Sequence, residues 1–202
     1  MKFVWYEDNW CFYIWKPAIP TTFKEKSFLE CIFEEKDHKV IQSLLNEFGA
    51  EDEYLLNRLD TPTKGLLYFA KNKEIKKEYK ELQKQKVNKY YIAEVYDIRY
   101  RIRENNIIDY PIAHHKFSKD RMVVVLPNTD RKIDNRLHRV KTKILESLYN
   151  DAEQTTTLII NIQKIRHQIR SHLSSIYPIV DEIYKKKDKK KDLQLYSIGL
   201  TV

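Results

Sequence analysis

Apolar positions along the chain follow two periods, one of strands and one of helices. Residues 3–15 are aromatic-rich, with acidic and amide side chains at 7–9 between two apolar pieces, which predicts a hairpin. Lys16-Pro17-Ala18-Ile19-Pro20 ends it, because two prolines cannot continue a central strand. Val40, Leu44, Leu45 and Phe48 recur at helical spacing, with Asp37 placed as N-cap and Gly49 as C-cap. The apolar run 66–70 reads as a buried strand entered through a turn at Gly65. Ile75, Tyr79 and Leu82 then give the i, i+4, i+7 stripe of a helix over 72–86, whose other faces carry seven lysines counted from 71 to 86. Residues 89–96 are a strand by their aromatic and β-branched content. Further on, 107–112 and 122–126 read as strands joined by a basic loop at 114–119, and two more strands fall at about 140–147 and 156–163. Helical spacing returns over 166–176, with Ile169, Leu173 and Ile176 on one face. Strands linked by short turns, with a few helices between, predict antiparallel pairing and an α+β domain.

Composition narrows this picture. A chain of 202 residues with 42% hydrophobic content is expected to form one compact domain over 1–202. No stretch of about 18 apolar residues occurs, and acids stand at 7 and 8 where a signal peptide needs an apolar run. The expectation is a cytoplasmic protein that spans no membrane. Cys11 and Cys31 are too few for a disulfide framework, and no cysteine–histidine spacing suits zinc. The net charge of +8 is uneven: the run 185–191 holds six lysines and one aspartate, leaving +3 for the rest. Basicity alone therefore says little about nucleic acid, because most of it lies in one solvated segment.

Candidate chemistry sits in three places. In the stretch 57–71, Asp60 stands between Arg58 and a turn, directly before the apolar strand. A carboxylate so placed is either an ion-pair staple or a nucleophile. In Arg166-His167-Gln168-Ile169-Arg170-Ser171-His172-Leu173, two arginines lie four apart at the start of a helix, where the macrodipole prefers acids. Such a pair calls for an anion, either a protein carboxylate such as Asp60 or a phosphate. His167 and His172 are five apart and do not share a helix face, so ordinary hydrogen bonding or packing is the expectation for each. Tyr91 lies in a strand, where a tyrosine is either core or a platform on which a base stacks.

Taken in order, these pieces resemble one family. Arg-Leu-Asp-x-x-Thr-x-Gly at 58–65, Lys-x-Tyr at 89–91 and His-Gln-Ile-Arg-x-His-Leu at 167–173 are similar to the motifs of the RluA-type pseudouridine synthases. Lys16-Pro17-Ala18, Tyr110-Pro111-Ile112 and Pro178-Ile179-Val180-Asp181-x-x-Tyr184 match in place, and the likeness runs from about 3 to about 200. It implies a mixed, mainly antiparallel sheet with flanking helices and loops. It also implies an isomerase that moves the ribose link of uridine from N1 to C5 of uracil, with no cofactor and no metal. Asp60 would be the nucleophile, Arg170 its cation, and Tyr91 the ring that stacks on uracil and takes the C5 proton. Arg58, Lys64, Arg166, His167 and Gln168 would bind substrate. The expected partner is ribosomal or transfer RNA, bound by a monomer with no separate N-terminal RNA-binding module. The chain departs from the family at Asn57, where histidine is usual, at Lys64, where serine is usual, and at Gln163-Lys164-Ile165-Arg166 and Tyr196. Two other readings follow from the residues: a non-catalytic RNA-binding relative, and a basic ribosome-associated protein in which Asp60 is a staple.

Overall fold

The computed structural model describes residues 5–18, 55–85, 87–96, 105–126, 133–162, 167–177, 179 and 193–201. The expected helix at 37–48, Arg166 and the lysine run lie outside the described residues. The chain divides into two compact units, Met1–Lys86 and Val87–Thr201.

In the first unit, β1 (Trp5–Glu7), β2 (Cys11–Lys16) and β3 (Lys64–Ala70) pair antiparallel in that order. The predicted hairpin is β1–β2. Its turn forms because the Asp8 carboxylate accepts hydrogen bonds from the backbone N–H of Trp10 and of Cys11, each at 2.7 Å, and from the Tyr13 hydroxyl. Helix α1 (Lys73–Gln85) follows β3 and packs on it. Asn72 caps it, its Oδ1 accepting from Ile75 N at 2.9 Å. Tyr79 is the buried centre of the expected stripe, flanked by half-buried Ile75 and Leu82, while Lys73, Lys77 and Lys80 face solvent.

In the second unit, β4 (Asn88–Tyr96), β5 (Asn106–Ile108), β9 (Thr142–Asn150), β10 (Thr155–Ile162) and β11 (Leu195–Thr201) form an antiparallel sheet in the order β11-β4-β10-β9-β5. Its strands alternate as a half-buried sheet demands: Lys89, Tyr91, Ala93 and Val95 on β4 are buried, as are Leu158, Ile160 and Ile162 on β10. A second antiparallel sheet has the order β7-β6-β8, from β6 (Ile112–His115), β7 (Ser118–Val124) and β8 (Ile133–His138). Helix α2 (Gln168–Ile176) packs against β7 and β9.

Three expectations change here. The single strand at 107–112 is two strands in two sheets. Pro111 lies between them, unable to donate to a ladder, and its carbonyl instead accepts from Val125 N at 2.7 Å. The basic loop at 114–119 is a tight hairpin, with His115 paired to Ser118 across Lys116-Phe117. Strands β8 and β11 were not expected: polar and charged residues hide the alternation of β8, and Gly199 interrupts β11, where the register with β4 shifts.

Candidate active site

The first unit builds a support around Asp60. The chain reaches it along Leu55, Leu56 and Asn57, which lie against β3. Leu55 bridges Phe69, and Leu56 N donates to Tyr68 O at 2.7 Å. Asn57 is 4% exposed, and its amide spans the same strand. Nδ2 donates to Leu66 O at 3.1 Å, and Oδ1 accepts from Tyr68 N at 2.8 Å. A side-chain amide can mimic a strand's peptide group, and this one pairs the Arg58-Leu59-Asp60 segment to β3 without a further strand. Leu59 is buried, and Thr63 N donates to Asp60 O at 3.0 Å to close the turn. Gly65 follows with φ 114°, a conformation that L side chains avoid. Asp60 and Lys64 are half-buried and Arg58 is exposed, and all three lie on the segment that turns into β3.

Lys16 lies behind that turn. Its side chain has no solvent exposure, and Nζ donates to Pro17 O at 2.8 Å and to Thr61 O at 3.3 Å. Burial pushes its pKa down from 10.5 to about 8, against the attraction of Asp60, which raises it. Lys16 therefore keeps its charge at neutral pH and cross-links the end of β2 to the Asp60 turn. Its place in the lysine-proline element was visible in the sequence, but its burial and its link to Thr61 were not.

Tyr91, His167, Gln168 and Arg170 belong to the second unit. Tyr91 is 8% exposed in the middle of β4, paired with Ile160 on β10 and Ser197 on β11, and shares its face of the strand with buried Lys89. His167, Gln168 and Arg170 are brought together at the start of α2. His167 is the N-cap, in the left-handed conformation (φ 54°, ψ 18°), which costs a non-glycine residue of order 1–3 kcal/mol. Its carbonyl accepts from Ser171 N at 2.9 Å and from Ser171 Oγ at 3.0 Å. Arg170 is 2% exposed. A guanidinium at that depth stays charged, and its environment must supply acceptors.

A polar network fixes this helix. The amide of Gln168 donates through Nε2 to Lys141 O at 2.8 Å and to Thr142 Oγ1 at 3.0 Å. His172 Nε2 lies 2.9 Å from Tyr110 O, which can only accept, so Nε2 carries the proton. Nδ1 then accepts from Thr142 Oγ1 at 2.8 Å. Burial lowers the His172 pKa, opposed by its bond to Tyr110 and by Asp109. The ordinary hydrogen bonding expected of this histidine is what the structure shows, and its consequence is that α2 is tied to β9 and to the chain before β6. Among the described residues, no group of three His, Cys, Asp or Glu side chains is placed to hold a metal ion.

The family model for RNA pseudouridylate synthase matches residues 13–175, most of the chain and both units. The chain belongs to the RNA pseudouridylate synthase family. It is a divergent member of the RluA type, an isomerase acting on RNA. No curated protein matches it by sequence. Two solved human structures are similar to it. One is RNA Pseudouridylate Synthase Domain Containing 4, with 18% identity and a TM-score of 0.66 over 96% of this chain and 82% of that one. The other is RNA Pseudouridylate Synthase Domain Containing 1, with 16% identity and a TM-score of 0.70 over 98% of this chain and 78% of that one. At these identities the likeness establishes the α+β fold, in which antiparallel pairing dominates.

Proposed function

We propose that this pseudouridine synthase acts on ribosomal or transfer RNA, as a cytoplasmic monomer, with Asp60 as its nucleophile. The carboxylate bonds covalently to the target nucleotide. The N1–C1′ link breaks, uracil turns, a C5–C1′ link forms, and the bond between the carboxylate and the nucleotide breaks to return free Asp60. The C5 proton is then lost while N1 regains one, so the product is an isomer and no co-reactant is consumed. Tyr91 stacks on the uracil and takes the C5 proton. Arg170 is the cation assigned to the carboxylate, since a guanidinium holds its charge when buried. Arg58, Lys64, Arg166, His167 and Gln168 bind the nucleotide and its phosphates. The target must leave the RNA stack, which is easiest in loops and single strands.

The support beneath Asp60 carries this reading. An exposed ion-pair staple needs no buried amide strapped to a strand and no fully buried lysine bound to its turn. A carboxylate that must attack a substrate atom gains from both, because its position is fixed before substrate arrives. The test uses ribosomal and transfer RNA transcripts carrying tritium at C5 of uridine, from which isomerisation releases tritium. Asp60→Asn should release none, with melting temperature and RNA affinity within error of wild type. Arg170→Lys should lose most of the activity, because it lacks the planar fork. Tritium release by Asp60→Asn at the wild-type rate would end the proposal. Loss of thermal stability in that variant, with turnover per folded molecule kept, would make Asp60 a staple.

A further inference from the structure

The hairpin between β6 and β7 ends in Phe117, whose side chain is 75% exposed. A single exposed apolar residue is common and means little by itself. This one is held in place. Phe117 N donates to His115 Nδ1 at 3.2 Å, which locks the two-residue turn. The His115 imidazole lies edge-on to the phenyl ring, with centroids 6.2 Å apart and planes at 67°. Among the described residues, this is the ring contact shown for Phe117, and most of the residue faces solvent.

The strands around it are net basic in sequence. The stretches 112–124 and 133–141 contain six lysines and arginines against two aspartates. Lys116 is exposed beside Phe117, and Arg136 and Arg139 are exposed on and just after β8. Ile112, Met122 and Val124 of this small sheet form one buried cluster with Val140. The hairpin therefore projects from a packed base, and β7 lies against α2, the helix that bears Arg170. An exposed aromatic ring with a lysine next to it fits a nucleic acid with an unpaired base: the ring takes the base face and the lysine takes a phosphate.

We propose that Phe117 stacks on an unpaired base of the RNA substrate flanking the target uridine, with Lys116 on the adjoining phosphate. This rests on the enzyme's acting on RNA and adds a binding site distinct from Asp60. The site reads no base identity and selects single-stranded over paired RNA.

The experiment measures binding of a fluorescein-labelled unstructured oligoribonucleotide, and of the same strand in a full duplex, across a salt series. Phe117→Ala should weaken single-strand binding roughly tenfold and leave duplex binding unchanged. Phe117→Trp should restore it. The salt slope of Phe117→Ala should equal that of wild type, because stacking releases no counterion, whereas Lys116→Ala should lower the slope by about 0.7. Wild-type affinity in Phe117→Ala would overturn the proposal, as would equal weakening of Phe117→Ala and Phe117→Trp or equal loss on the duplex. Asp60→Asn should keep the full Phe117 dependence. If the wild type binds single strands in this way but releases no tritium from labelled RNA, the catalytic reading fails and the stacking site stands. No binding of any RNA by the wild type would overturn both.

Discussion

Lys16→Met replaces a buried ammonium by an apolar chain of similar length. Lowering a lysine pKa from 10.5 to about 8 means that holding the charge inside costs about 3 kcal/mol at neutral pH. Methionine removes that cost but leaves Pro17 O and Thr61 O without their donor, at about 1 kcal/mol each. The variant should therefore stay within about 1 kcal/mol of wild type at pH 7, whereas deleting one partner of a buried ion pair usually costs about 3–5 kcal/mol. The pH dependence carries the sign. Between about pH 8 and 10.5 the unfolded chain holds a proton that folded Lys16 has released, so wild-type stability rises with pH across that window. Below it the full cost is present. From pH 7 to pH 9 the wild type should gain about 1 kcal/mol over Lys16→Met, or about 2–4 °C in melting temperature. Urea unfolding and thermal melts of both proteins at each pH measure this, and shared titrations cancel in the difference. Tritium release should fall roughly tenfold in the variant, because the Asp60 turn loses its tie and its neighbouring charge. A loss of more than about 3 kcal/mol at pH 7, with no change in the difference up to pH 9, would refute the reasoning and make Lys16 a net stabilising staple.

Asn57→Ala leaves the N–H of Tyr68 and the carbonyl of Leu66 without their side-chain partner, and should cost about 2–3 kcal/mol in urea unfolding with activity reduced in parallel. Gly65→Ala forces a β-carbon into φ 114° and should cost about 1–3 kcal/mol, seen as a lower urea midpoint at unchanged m. His172 is held neutral by burial, so its contribution is complete above pH 6.5 and is lost as pH falls toward its lowered folded pKa; His172→Gln should flatten that part of the stability curve.

The motifs of the candidate site were legible in the sequence because each is local. Arg58-Leu59-Asp60, Lys89-x-Tyr91 and His167–Leu173 each lie within one turn or one element, and their spacing is written in the chain. So were β3, α1, β4 and β10, whose apolar periods are strong. Pairing was not. The split of 107–112 follows from Pro111 and from which strands lie opposite each half, and β8 and β11 exist because β6 and β4 offer them a ladder.

By itself, then, the sequence determined the family resemblance and the kinds of residue in the candidate site. Only the tertiary structure decided what each is worth. Lys16 is an ordinary lysine until β2 and the Asp60 turn close over it. Asn57 is a departure from the family pattern until its amide is seen spanning β3. Phe117 is one apolar residue in a basic stretch until a two-residue turn lifts it into solvent. Burial, charge cost and hydrogen-bond partners depend on residues distant in the chain, and a one-dimensional pattern does not contain those distances.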